Sequence, residues 1–173
     1  SLVLAFVVLA NGSGVAAEPT DVTNEMSLFN GKDFTGLVSW LKASGHDDPE
    51  QVFSVVDGTI HMKGGEHRGY LATAAAYRDY HVSVEYKWGK QTDGGKYVRN
   101  SGLLINASGA HGGAGGVWMP SIEIQLAQGC EGDLIVIRGK AGNGDPVNAD
   151  LVSKTRVASD GRTRWDIDGR ASK

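Results

Sequence analysis

The chain has 173 residues, 40% hydrophobic and 21% charged, with a formal net charge of -3. This is the composition of a globular domain long enough to bury a core. It has no block of Lys/Arg, which excludes a nucleic-acid partner. Twenty-five Gly against 4 Pro point to many tight turns, and the single cysteine, Cys130, has no intrachain disulfide partner and reads as a small buried or half-buried hydrophobe.

In chain order, SLVLAFVVLA is an apolar run too short to span a bilayer. Val15 and Ala17 stand at the -3 and -1 positions of a small-residue cleavage site before Glu18. Residues 1–17 therefore read as a secretory leader whose basic n-region is missing, and the mature protein is expected to be exported, with no membrane span. The alternative reading of the apolar run is a first strand. Residues 18–26 form a polar linker, and 27–173 read as the domain proper.

Within the domain, LFNGKDFTGLVSW supplies an apolar anchor, an Asn-Gly turn and Trp40. VFSVVDGTIHM is a hairpin, because Asp57-Gly58 tolerates the positive φ angles of a two-residue turn. RGYLAT reads as a strand and AAAYRDY as a helical turn. YHVSVEYKWG alternates as a strand, with Val82, Val84, Tyr86 and Trp88 on one face and His81, Ser83, Glu85 and Lys87 on the other. SGLLINAS, SIEIQLA and DLIVIRG are further strands, and GAHGGAGG is a loop able to approach a ligand closely. Short strands separated by glycine turns predict an all-β sandwich or barrel. The end, RWDIDGRASK, shows no closing strand pair, so the expectation is a domain truncated at its C-terminus.

No HExxH, nucleophile elbow or phosphate loop is present, and the five histidines show no metal-ligand spacing. Carboxylates and their neighbours remain. Glu123 and Gln125 share one strand face, Glu85 and Lys87 another, and Arg99 and Asn100 stand at the mouth of a strand. Trp118 sits on the glycine loop beside them, placed to stack on a sugar. The competing reading is a solvated sheet face, with Trp118 a plug under the loop.

LFNGKDFTGL, VDGTI, YRDYHVSVEYKWG, RNSGLL and GVWMPSIEIQLAQGCEGD, in that order over residues 27 to about 138, resemble the 3-keto-disaccharide hydrolase domain family. Asn100-Ser101-Gly102 and Ser121–Gln125 carry the likeness most strongly. The resemblance implies a concanavalin A-like jelly-roll sandwich of two antiparallel sheets with a concave sugar-binding face, in a family common in exported bacterial proteins. A tryptophan-led strand and an Asn-Gly hairpin that the family carries after mid-domain are not found, which agrees with truncation.

The resemblance also implies a carbohydrate substrate, a glycoside oxidised at C3, cleaved by C2 proton abstraction, β-elimination and hydration. Glu123 is then the expected base, kept ionised by a neighbouring cation, with Lys87 or Arg99 stabilising the enolate and His111 as acid. Asn100, Ser101, Trp118, Gln125 and Glu85 would bind substrate. No cofactor is expected. A divalent cation at Asp133 or Asp145 is conceivable, though no spacing supports it. The alternatives are a lectin-like carbohydrate-binding module, or a structural or adhesion module, and the oligomeric state is left open.

Overall fold

The computed structural model describes residues 3–9, 20–21, 23–90, 94–95, 98–147 and 154–165. Among these the fold is all-β without a helix, in keeping with a jelly-roll sandwich, and no helix is long and apolar enough to cross a membrane. A seven-stranded sheet contains β1 (Val3–Leu9), β2 (Thr20–Asp21), β3 (Leu37–Leu41), β6 (Arg68–Arg78), β7 (Asn100–Ala107), β8 (Ser121–Gln125) and β9 (Leu134–Ile137). Their order is β2-β6-β1-β7-β8-β9, with β3 also paired to β6. Two-stranded sheets are formed by β4 (Phe53–Val56) with β5 (Thr59–Met62), β10 (Gly139–Lys140) with β11 (Pro146–Val147), and β12 (Thr155–Val157) with β13 (Thr163–Trp165).

The β4–β5 turn forms as its sequence dictates, with φ of 50° at Asp57 and 72° at Gly58. Its apolar side chains cover one face of the large sheet, where Val52 and Phe53 join Leu41 and Leu71 in a buried cluster. The alternation of the strands sends their other residues to the opposite face. There Tyr70, Ala72 and Leu104 pack with Met119 and Ala107, and with the partly buried Val38, Trp40, Trp118 and Ile137. Fully burying one such aliphatic side chain is worth about 1.5–3 kcal/mol. The second face carries the polar groups described below.

Three segments differ from expectation. AAAYRDY is not a helical turn: Arg68–Arg78 is one strand, because pairing with β3 and β1 outweighs the helix preference of three alanines. Val3–Leu9, part of the apolar run with a leader and a first-strand reading, lies between β6 and β7 as a strand parallel to both. Residues 80–89, read as a strand, form none, and Val84 and Tyr86 are exposed. Finally, the C-terminal segment contains an antiparallel pair, β12 with β13, as a two-stranded sheet apart from the large one. Its Thr- and Arg-rich strands carry no apolar alternation, so the pattern that marks a half-buried strand could not find them.

Candidate active site on the second face of the sheet

The register of β7 and β8 sets Leu104 opposite Glu123 and Gly102 opposite Gln125, so these four side-chain positions share a face. Glu123 is only 7% exposed. Burial pushes its carboxyl pKa up from the usual 4.5 to about 7, and no cation contributes. The expectation that a neighbouring cation holds it ionised is therefore corrected: desolvation governs this group. The side chain lies over Gly102, where an added Cβ would come within 2.6 Å of Glu123 Cγ and 2.8 Å of its Cδ. Gly102 is thus the gap in the sheet that the carboxylate occupies.

Nearby, Asn100 Oδ1 and Gln125 Oε1 are buried without a hydrogen-bond partner. Buried polar atoms are nearly always paired, so these two acceptors have unused capacity. Both residues line a hollow of about 400 Å³ bounded also by Cys130, Asp133 and Ile135. A larger hollow of about 730 Å³ opens beside Leu41, Glu50, His67 and Arg68, but it includes none of the residues around Glu123.

Further across the same face stands an aromatic wall. Its positions follow from β3 and β6, which pair Trp40 with Tyr70. His111 stacks between them, with ring centroids 5.6 Å from Trp40 and 5.8 Å from Tyr70, and His46 meets it edge-on at 4.9 Å. Trp118 lies 6.3 Å from Tyr70. The glycine loop permits this approach: Gly112 has φ of 71°, and a Cβ there would meet Trp40 Cζ2 at 2.8 Å.

The Tyr70 hydroxyl and His111 Nδ1 are 2.7 Å apart. A neutral phenol beside a neutral imidazole can hold this bond in either sense, the phenol donating to Nδ1 in the tautomer whose proton is on Nε2. Burial first, then the charge of His46, holds the His111 pKa below its usual value, while burial holds that of Tyr70 above its own. Near neutral pH the pair is therefore an uncharged phenol hydrogen-bonded to an uncharged imidazole. Three strand spacings, about 14 Å, separate the β6 and β8 rows of this face.

The structure thus brings together Glu123, Gln125 and Asn100, and places His111 and Trp118 in the wall. Other candidates lie elsewhere. Glu85 and Lys87 are exposed on the segment 79–90. Arg99 donates to Gln128 Oε1 and the Gly89 carbonyl, both at 3.3 Å, which ties it to neighbouring loops. Ser101 falls on the opposite sheet face, because alternation separates it from Asn100 and Gly102. Asp145 accepts a hydrogen bond from Asn143 Nδ2 at 2.7 Å. No group of three or more His, Cys, Asp or Glu converges among the described residues, Asp133 and Asp145 included.

Sequence reasoning missed Tyr70, Trp40 and His46. Tyr70 and His111 are 41 positions apart, and only the β3–β6 register and the glycine loop join them.

The family profile described as a 3-keto-alpha-glucoside-1,2-lyase-like domain matches residues 24–165, well over half of the chain. The chain belongs to this family. The matched span of this 3-keto-glucoside-lyase-like domain contains Glu123, the unpaired amides and the whole aromatic wall, whereas Val3–Leu9 lies outside it. Comparison with curated proteins and with solved structures gave no match.

Proposed function

We propose that this chain cleaves 3-keto-glycosides by elimination followed by hydration, with Glu123 as the base. The observation that carries the reading is the buried Glu123 carboxyl over Gly102, whose pKa of about 7 suits a base working near neutral pH. A ketone at C3 acidifies the proton on C2. Glu123 takes that proton, the electron pair forms the enolate, and the C1–O bond breaks as the enolate collapses. The aglycone leaves as its alkoxide and is protonated, giving a 2-hydroxy-glycal to which water adds across C1 and C2. The sum is hydrolysis.

Asn100 Oδ1 and Gln125 Oε1 fit this reading as acceptors for sugar hydroxyls, and the partly buried Trp40 and Trp118 as stacking surfaces. A neutral His111 in the aromatic wall, three strand rows from Glu123, suits hydrogen bonding to a hydroxyl at the far end of the substrate, in place of proton donation at the bond being broken. The lectin-like alternative rests on the same aromatic wall without turnover. The separating experiment follows aglycone and glycal release from a 3-keto-glucoside and from its unoxidised parent. Turnover of the 3-keto sugar alone, lost in Glu123→Gln, supports the enzyme. Binding without turnover in the unaltered protein supports the module. Export by way of residues 1–17 belongs to the same proposal, and a mature N-terminus at Glu18 in the exported protein is its test.

A further inference from the structure

The centre of the large sheet is filled by a strand from outside the family domain. β1 sits between β6 and β7, with Ala5 opposite both Tyr70 and Gly102, and runs parallel to each. Consequently β6 and β7 point the same way, with the width of one strand between them. Such a slot accepts an antiparallel strand equally well from either neighbour.

The domain has a candidate for it. The chain leaves β6 at Arg78 and enters β7 at Asn100, and between them lies HVSVEYKW, residues 81–88. Consecutive strands are usually neighbours, and an antiparallel neighbour needs only a short turn. Asp79, at the head of the segment, already has the positive φ, 52°, of a reversal residue. At eight residues, 81–88 is one longer than the seven-residue β1. The segment alternates as a half-buried strand should, yet it forms no strand, and Val84 and Tyr86 are 42% and 47% exposed. A segment with strand pattern and no ladder, beside a slot held by a segment from outside the domain, is a local conflict that an exchange resolves.

We infer that Val3–Leu9 and residues 81–88 are alternative occupants of this slot, and that 81–88 takes it once residues 1–17 are gone. The alternation fixes the facing. Val82, Val84, Tyr86 and Trp88 turn to the side of Leu71 and Leu103, where the β4–β5 hairpin packs. Ser83, Glu85 and Lys87 then turn to the side of Glu123, so the leader-bearing chain has an incomplete site and its removal completes it. The exchange stands on the topology alone; a role for Lys87 opposite the enolate rests on the proposed function.

The test is amide hydrogen exchange, read segment by segment, in the whole chain, in whole-chain Ala5→Pro, and in the chain beginning at Glu18. Proline at position 5 removes an N–H from the middle of β1 and weakens its hold on the slot. The expected result is that amides of 82–88 exchange fast in the whole chain and on the order of 100-fold more slowly in the other two. Fast exchange of 82–88 in all three overturns the inference, and so does slow exchange of 82–88 in the unaltered whole chain. Loss of protection throughout β6–β8 in both altered forms overturns it as well, since 81–88 must be able to complete the sheet. The readout involves no substrate, so failure of the proposed activity would leave it unaffected.

Discussion

Replacing Gly102 by alanine tests how closely Glu123 is held. Gly102 does not adopt a positive φ, so alanine fits the backbone and the perturbation is purely steric. The new Cβ would stand 2.6 Å from Glu123 Cγ, whereas comfortable carbon–carbon contact begins near 3.5 Å. Glu123 must therefore move by about 1 Å. Displacing a reacting group by that distance costs roughly 100-fold in rate, and overpacking a buried site costs about 1–3 kcal/mol of stability. The assay is kcat on a 3-keto-glucoside together with urea unfolding, with the exposed Val157→Ala as a control for handling. In a Glu123→Ala background the clash partner is gone, so Gly102→Ala should then cost almost nothing in stability. Equal stability losses in both backgrounds, or an unchanged kcat in the single variant, would refute the placement of the carboxylate over Gly102.

Three further outcomes follow from the same geometry. Because the folded-state pKa of Glu123 is raised from 4.5 to about 7, the folded protein binds this proton more tightly than the unfolded chain. Stability from this group is then fully present below pH 4.5 and lost as pH rises through about 7. The loss is on the order of 3 kcal/mol in the whole chain, and urea unfolding at pH 4.5 and 8 should show Glu123→Gln without it; Lys87 brought to the same face by the strand exchange would shrink the effect. Tyr70→Phe removes the hydroxyl that bonds His111 Nδ1, costing about 1–3 kcal/mol. Nitrogen chemical shifts of His111 should change as Nδ1 loses this partner. Leu104→Ala, at a fully buried position opposite Glu123, should cost about 2–5 kcal/mol by the urea midpoint.

What could be read from the sequence was local. Asp57-Gly58 announces its hairpin because two adjacent residues carry the whole turn requirement. Ser121–Gln125 and Asn100–Ala107 announce themselves by period and by glycine at their ends, and the shared face of Glu123 and Gln125 follows from alternation alone. The desolvation of Glu123 was not legible. It depends on Gly102 from another strand leaving room beneath the carboxylate, and the sequence-level expectation of a cation beside it failed for that reason. The Tyr70–His111 pair was equally hidden, since it needs β6 and the glycine loop to meet. Residues 81–88 show the opposite case: their alternation is clean, and a competing apolar segment holds the place it points to.

The central claim is that Glu123 removes a proton activated by a C3 ketone. Its most direct measurement is the release of aglycone and 2-hydroxy-glycal, by mass spectrometry, from a 3-keto-glucoside and from its unoxidised parent, using the unaltered protein and Glu123→Gln. The account predicts turnover of the 3-keto sugar only, reduced at least about 100-fold in the variant while substrate is still bound. Undiminished turnover by Glu123→Gln, or equal cleavage of the unoxidised glucoside, would contradict it.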